Sequence, residues 1–172
     1  MKRILFINPS LRLHSKTKFL PVGIASVMTY LQSQGIKFDF LDIDIDDIED
    51  TDVKLYLEKN RYDIVLTGSI VTHYKWMKWL TKTIRHYNPK SIIIVGNSVA
   101  GSIPTLFLTN SDADIAIMGE GELSTNETIF RILSDEDIGN IEGIAYKKSN
   151  GTVKVNPKRK GLKKLDDSIL GE

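Results

Sequence analysis

Short apolar runs, separated by longer stretches with an apolar residue at every third or fourth position, set the plan of this 172-residue chain. Ile4-Leu-Phe-Ile7, Ile64-Val-Leu66, Ile92-Ile-Ile-Val95 and Ala113-Asp-Ile-Ala-Ile-Met118 are continuous enough to be strands buried on both faces, as in a parallel sheet covered by helices. Lys37-Phe-Asp-Phe-Leu-Asp-Ile43 alternates instead, which predicts a strand near the sheet edge. The spacing of Ile24, Val27, Met28 and Leu31 predicts a helix opened by Phe19-Leu-Pro21 and stopped by Gly35. A second helix is expected from Thr51 to Asn60, with Val53, Tyr56 and Leu57 inward, and a third from about Thr72 to Tyr87 on the stripe Met77, Leu80, Ile84 and Tyr87. Ala100 to Asn110 reads as a weaker helix interrupted near Pro104, and a further helix runs from Gly119-Glu-Gly-Glu122 to about Leu133. Five strand–helix units in succession predict an α/β three-layer sandwich with right-handed crossovers.

Two of these strands end in residues with almost no side chain: Thr67-Gly-Ser69 and Val95-Gly-Asn-Ser98. Ligands of such sheets sit beyond the carboxyl ends of the strands, so these small ends predict a crevice that receives something bulky and flat. Further on, Gly143-Ile-Ala-Tyr-Lys-Lys148 and Thr152-Val-Lys-Val155 flank Asn150-Gly151, which predicts a β-hairpin. The expected division is an α/β domain over residues 1–140, a hairpin over 141–157 and a polar, basic linker over 158–172.

Composition narrows the chemistry. A net charge of +1 offers no long-range steering of nucleic acid. The basic stretch from Gly143 to Leu165 has only Tyr146 as a stacking platform, so it reads as a solvated hairpin and linker rather than a nucleic-acid surface. No apolar stretch approaches the roughly 18 residues of a membrane span, and the N-terminal apolar run is too short for a signal peptide, so a cytoplasmic location is expected. The chain has no cysteine, which excludes a disulfide framework, a thiolate nucleophile and a cysteine-ligated cluster within it.

The familiar chemistries of this sheet do not fit. The turn after the first strand is Asn8-Pro9-Ser10, without the Gly-x-Gly-x-x-Gly that a dinucleotide pyrophosphate needs. It also lacks the acidic residues of a phosphoacceptor domain and offers only Ser10 to a flavin phosphate. The acidic run from Asp42 to Asp52 places Asp47 and Val53 where a calcium loop wants glycine and glutamate, so it reads as a solvated strand end and helix start. His14, His73 and His86 are not spaced as a zinc site; His73 opens the third helix beside the crevice, within reach of a ligand. Trp76 and Trp79, one turn apart on that helix, read as core packing with an interface as the alternative.

Asn8-Pro9-Ser10, Leu20-Pro-Val-Gly-Ile-Ala25, Tyr62-Asp-Ile-Val-Leu-Thr-Gly-Ser69, Ile93-Ile-Val-Gly96, Asp114-Ile-Ala-Ile-Met-Gly-Glu-Gly-Glu122 and Ile141-Glu-Gly-Ile-Ala145 occur in an order that resembles the N-terminal cobalamin-binding domain of cobalamin-dependent radical SAM enzymes. The resemblance covers the chain to about Ile169. It implies a flavodoxin-like (Rossmann-like) five-stranded parallel sheet of order 2-1-3-4-5 that holds a corrinoid, its nucleotide tail passing between sheet and helices. It further implies that Ser69 hydrogen-bonds the base of the tail and that Gly96 lets the tail approach the backbone. The expected cofactor contacts are Asn8, Ser10, Ser69, Val71, Thr72, His73, Gly96, Asn97, Ser98, Gly119, Glu120 and Gly121.

The chain departs from the family pattern in places. Asn97 stands where the family has a second glycine, Val71 where it has leucine, and the Asp-x-His-x-x-Gly signature of the wider superfamily is missing, so no histidine lower ligand is expected. S-adenosylmethionine and a four-iron four-sulfur cluster would belong to a radical SAM catalytic domain supplied elsewhere, in the same chain or as a separate subunit, because the cluster needs three cysteines. No catalytic residue and no metal ligand is expected in this chain. The alternatives are a protein-interaction module of the same fold that has lost its cofactor, and a flavin carrier.

Overall fold

The structure, a computed structural model, describes residues 2–18 and 20–159. Phe19 and residues 160–172 of the expected linker lie outside them. Among the described residues the strands are β1 (Ile4–Asn8), β2 (Asp39–Asp42), β3 (Ile64–Gly68), β4 (Ile92–Gly96), β5 (Ile115–Ile117), β6 (Ile144–Lys147) and β7 (Val153–Val155). They form one sheet of order β2-β1-β3-β4-β5-β6-β7, parallel from β2 to β5 and antiparallel beyond. The expected five-stranded order is present, but the sheet has seven strands. The hairpin is not a separate appendage: β6 pairs with β5, and Asn156 donates its side-chain amide to the Ile141 carbonyl. Its alternating pattern marks a hairpin but not the edge it caps.

The helices are α1 (Val22–Ser33), α2 (Asp50–Lys59), α3 (Tyr74–Tyr87), α4 (Asn97–Gly101), α5 (Pro104–Thr109) and α6 (Glu122–Leu133), with a single 3₁₀ turn at Val71–His73. The expected weak helix from Ala100 to Asn110 is two short helices, broken before Pro104 because proline has no amide hydrogen to continue the ladder.

Strand side chains alternate between two cores. Leu5, Ile7, Val65, Ile93 and Val95 pack against α2, α3, α4 and α5 through Val53, Leu57, Met77, Leu80, Ile84, Val99 and Phe107. Phe6, Ile64, Leu66, Ile94, Ile115 and Ile117 face α1 and α6 through Ile24, Leu31, Ile129 and Ile132. Side chains as fully buried as these stabilise the fold by roughly 1.5–3 kcal/mol each, which fixes the register and therefore where each strand stops. Trp76 and Trp79 are partly buried against the first core. β2 is one edge strand, with Asp39 and Phe40 exposed, as its alternation predicts. Because α1 returns the chain to β2 on one side of β1, while β3 lies on the other, the direction of winding reverses between β1 and β3.

Candidate functional site

The crevice lies at that reversal. β3 and β4 end in register, with Gly68 opposite Gly96, and a Cβ on Gly68 would stand 3.1 Å from the Gly96 carbonyl group. No larger residue fits Gly68 without moving β4. Two cavities meet here. One, of about 300 Å³, runs between the sheet and helices α1 and α6, floored by Phe6, Leu66, Ile94 and Ile117 and walled by Gly23, Val27, Gly121 and Thr125. The other, of about 200 Å³, lies over the strand ends and is lined by Pro9, Leu11, Pro21, Asp44, Ser69 and Ile70. Gly68 and Asn97 line both, so the two adjoin in one crevice.

Each wall has a reason in the sequence. Asn97 has a φ of 63°, a left-handed conformation that asparagine tolerates better than other residues with a side chain. Asn97, which the resemblance sets where a second glycine is expected, therefore adopts a glycine-like backbone, and its side-chain oxygen accepts from the Ser98 amide. The Ser98 hydroxyl in turn accepts from the Val71 amide, and the Ser69 carbonyl accepts from the Val99 amide. These bonds tie the loop after β3 to the loop after β4. On the far side, a Cβ on Gly121 would stand 2.9 Å from Val27, so this glycine lets α1 and α6 close on each other. Ser26 donates to Glu122 at 2.5 Å across the same gap.

The expected contacts fall into three groups. Gly96, Asn97, Gly119, Glu120 and Gly121 line the deep cavity, and Ser69 lines the upper one. Val71 and Thr72 are exposed on the 3₁₀ turn at the rim, with Ser98 behind them. Asn8, Ser10 and His73 do not line either cavity and stand behind the residues that do. Ser10 donates to Asp44 at 2.5 Å, Asn8 donates to Asp42 at 2.9 Å, and His73 Nδ1 lies 3.1 Å from the Ser69 hydroxyl.

The acidic run corrects one expectation. Asp42 and Asp44 are buried rather than solvated, because the chain turns back on itself and Asp42 Oδ1 accepts from the Asp44 and Ile45 amides. Asp50 and Asp52 do sit in the first turn of α2.

Sequence reasoning missed Gly23, Val27, Leu66, Thr125 and Asp44. The only signal was the four-residue spacing of Gly23 and Val27, which puts two small side chains on one face of α1. No group of three or more His, Asp or Glu side chains able to hold a metal ion occurs among the described residues. His14 is exposed, and its ring faces Glu49 at 2.7 Å rather than the crevice. No helix among the described residues is long and apolar enough to cross a membrane.

Known proteins share this fold. The solved radical S-adenosylmethionine methyltransferase TsrM of Kitasatospora setae, with cobalamin and a 4Fe-4S cluster bound, superposes with a TM-score of 0.77 at 18% identity, over 95% of this chain and 30% of that one. The cobalamin-dependent S-adenosylmethionine radical enzyme OxsB, with aqua-cobalamin and S-adenosylmethionine bound, gives 0.78 at 18% identity, over 94% and 23%. In sequence, the uncharacterized protein MJ1620 of Methanocaldococcus jannaschii is 33% identical over 144 residues, 83% of this chain and 26% of that protein. The chain thus spans about a quarter of the curated relative it matches. The B12 binding domain family matches residues 10–128, a span that holds every lining residue of the two cavities except Phe6 and Pro9; by that match this chain belongs to the B12-binding domain family.

Proposed function

We propose that this chain holds a cobalamin in the crevice formed by the two adjoining cavities and presents its cobalt to a radical SAM catalytic domain. The observation that carries the reading is the continuity of the two cavities at Gly68 and Asn97. The deep arm has the apolar floor and close-packed glycines that suit a nucleotide tail slid between sheet and helices. The upper arm, with Pro9, Leu11 and Ile70 around it, offers an apolar shelf that suits the underside of a flat macrocycle.

The residues present fit that group. A side chain at Gly68 would press on the Gly96 backbone and one at Gly121 on Val27, so either would push apart the walls of the cradle. The Ser69 hydroxyl and the backbone around Gly96 are the polar groups that would orient the tail. With His14 turned to Glu49, the reading includes no histidine as lower ligand to the cobalt. When bound, cobalamin supplies methyl transfer or related radical chemistry together with a catalytic domain bearing S-adenosylmethionine and an iron–sulfur cluster. The work of this chain is binding and orientation. Asn8, Ser10 and the Ser98 bridge brace the loops that touch the cofactor, while Val71 and Thr72 stand at the rim where a catalytic domain would dock.

A visible absorption titration of the purified chain with hydroxocobalamin and methylcobalamin, followed by desalting, tests this. Retention near one equivalent with the spectrum of a cobalamin that has released its own base is the expected result. A well-folded chain that retains no pigment with either form would overturn it.

A further inference from the structure

The helix α3 carries a polar–aromatic chain that leads away from the crevice and that cofactor contact alone does not explain. Ser69, buried at the carboxyl end of β3, has its hydroxyl 3.1 Å from His73 Nδ1. The His73 ring lies flat on Trp76, with centroids 4.8 Å apart and an interplanar angle of 2°. Trp76 is itself held, its indole N–H donating to Asp50 at 3.0 Å and its ring leaning on Trp79. A serine hydroxyl ordinarily rotates to suit its surroundings. Here the rotor faces an imidazole whose plane is fixed by stacking.

We infer that His73 is a positioning residue whose Nδ1–H donates to Ser69 Oγ, so that the Ser69 hydroxyl hydrogen points into the crevice and selects corrinoids whose nucleotide base offers an acceptor nitrogen. The inference rests on the proposed cobalamin site and deepens it. Burial holds the His73 imidazole below the usual histidine range, against an opposing pull from Asp50, so the ring is neutral near pH 7 and has one proton to place. A neutral imidazole donates from one nitrogen only. With the proton on Nδ1, Ser69 accepts from His73 and is left as a donor. With it on Nε2, Ser69 would donate to His73 and turn a lone pair to the ligand. The freed base of a cobalamin tail carries a ring nitrogen with no hydrogen, so it calls for the first arrangement.

The test uses the whole chain and two probes: hydroxocobalamin, which has the base, and dicyanocobinamide, which lacks the nucleotide. His73→Phe keeps a ring on Trp76 and loses the donor. His73→Asn loses the ring and keeps an amide N–H close to the Nδ1 position. The expected result is a fall of about fivefold in affinity for cobalamin in His73→Phe, the loss of one ordinary hydrogen bond, with cobinamide affinity unchanged and most of the cobalamin preference restored in His73→Asn. Equal losses for both probes, or a larger loss in His73→Asn than in His73→Phe, would assign the ring a purely structural role and overturn the inference. Unchanged cobalamin preference in His73→Phe would overturn it while leaving the cobalamin site intact. Failure of the wild-type chain to bind cobalamin would remove both.

Discussion

The two ends of the sheet are built from the same strands and finished in opposite ways. At the amino ends, polar side chains are tied into networks. Tyr62 donates its hydroxyl to Asp39, which also accepts from Arg3, and the Arg3 guanidinium lies 4.5 Å from the centre of the Tyr62 ring. Asn88 accepts from the Tyr62 amide, and Arg85 donates to the carbonyls of Pro89, Ser91 and Asp112 and to the Asp114 carboxylate.

At the carboxyl ends the accounts stay open. Asn8 Oδ1, Asp42 Oδ2 and Thr67 Oγ1 are buried with no hydrogen-bond partner among the described residues, and they lie at or beside the last residues of three adjacent strands. Leu11, Val22, Ile70 and Val71 stand exposed around them. A buried polar atom without a partner costs roughly 1–3 kcal/mol, so this end holds less stability than the other. Strain and exposure gather where a ligand or a partner is to be met, and the closed end holds the sheet against that cost.

The sharpest way to break this contrast is to fill the open end. Gly96 has nothing within 4 Å of its Cβ position except the Thr67 carbonyl at 4.0 Å, so Gly96→Trp should fold with a near-normal melting temperature while cobalamin retention falls below detection. Retention equal to wild type would mean that the crevice is not the binding site. Supplying the ligand should close the gap from the other direction. At a free cobalamin concentration about 100 times its Kd, binding adds about 2.7 kcal/mol, or a rise of roughly 5–10 °C in Tm for a domain of this size. A flat thermal scan across the titration would contradict it.

The closed end should behave oppositely. Tyr62→Phe removes hydrogen bonds to Asp39 and Tyr56 and should lower stability by about 1–2 kcal/mol by urea unfolding, with cobalamin affinity within twofold of wild type. A large change in affinity would show the two ends to be coupled. The smallest effect concerns acid. Because burial lowers the His73 pKa in the folded chain from 6.5, the unfolded chain binds more protons below that pH; the stability is complete above about pH 6.5 and declines as pH falls toward the folded value. His73→Phe should flatten the Tm profile just below pH 6.5, and an identical slope in both proteins would place the acid sensitivity elsewhere.

The layered fold was legible because its signals are local. Continuous runs such as Ile92-Ile-Ile-Val95 can only be buried on both faces, and the stripe from Met77 to Tyr87 has one period. The candidate site was half legible for the same reason. Gly96, Gly119 and Gly121 announce themselves as residues without bulk, and the family pattern singles out Ser69. What α1 contributes was not legible, since Gly23 and Val27 become walls only when α6 lies opposite. The burial of Asp42 and Asp44 was hidden too, because a carboxylate reads as solvated until the turn that encloses it is known.

By itself the sequence determined the strands, the helices, the small residues at the strand ends, and the absence of any thiolate chemistry. Each of these depends on residue type and spacing within a few positions. Only the tertiary structure decided that the hairpin extends the sheet, that Asn97 takes a glycine's conformation, that two cavities join at Gly68, and that His73 reaches the crevice through Ser69 rather than directly. Those outcomes depend on which distant segments pack side by side, and contacts between residues tens of positions apart leave no period in the chain.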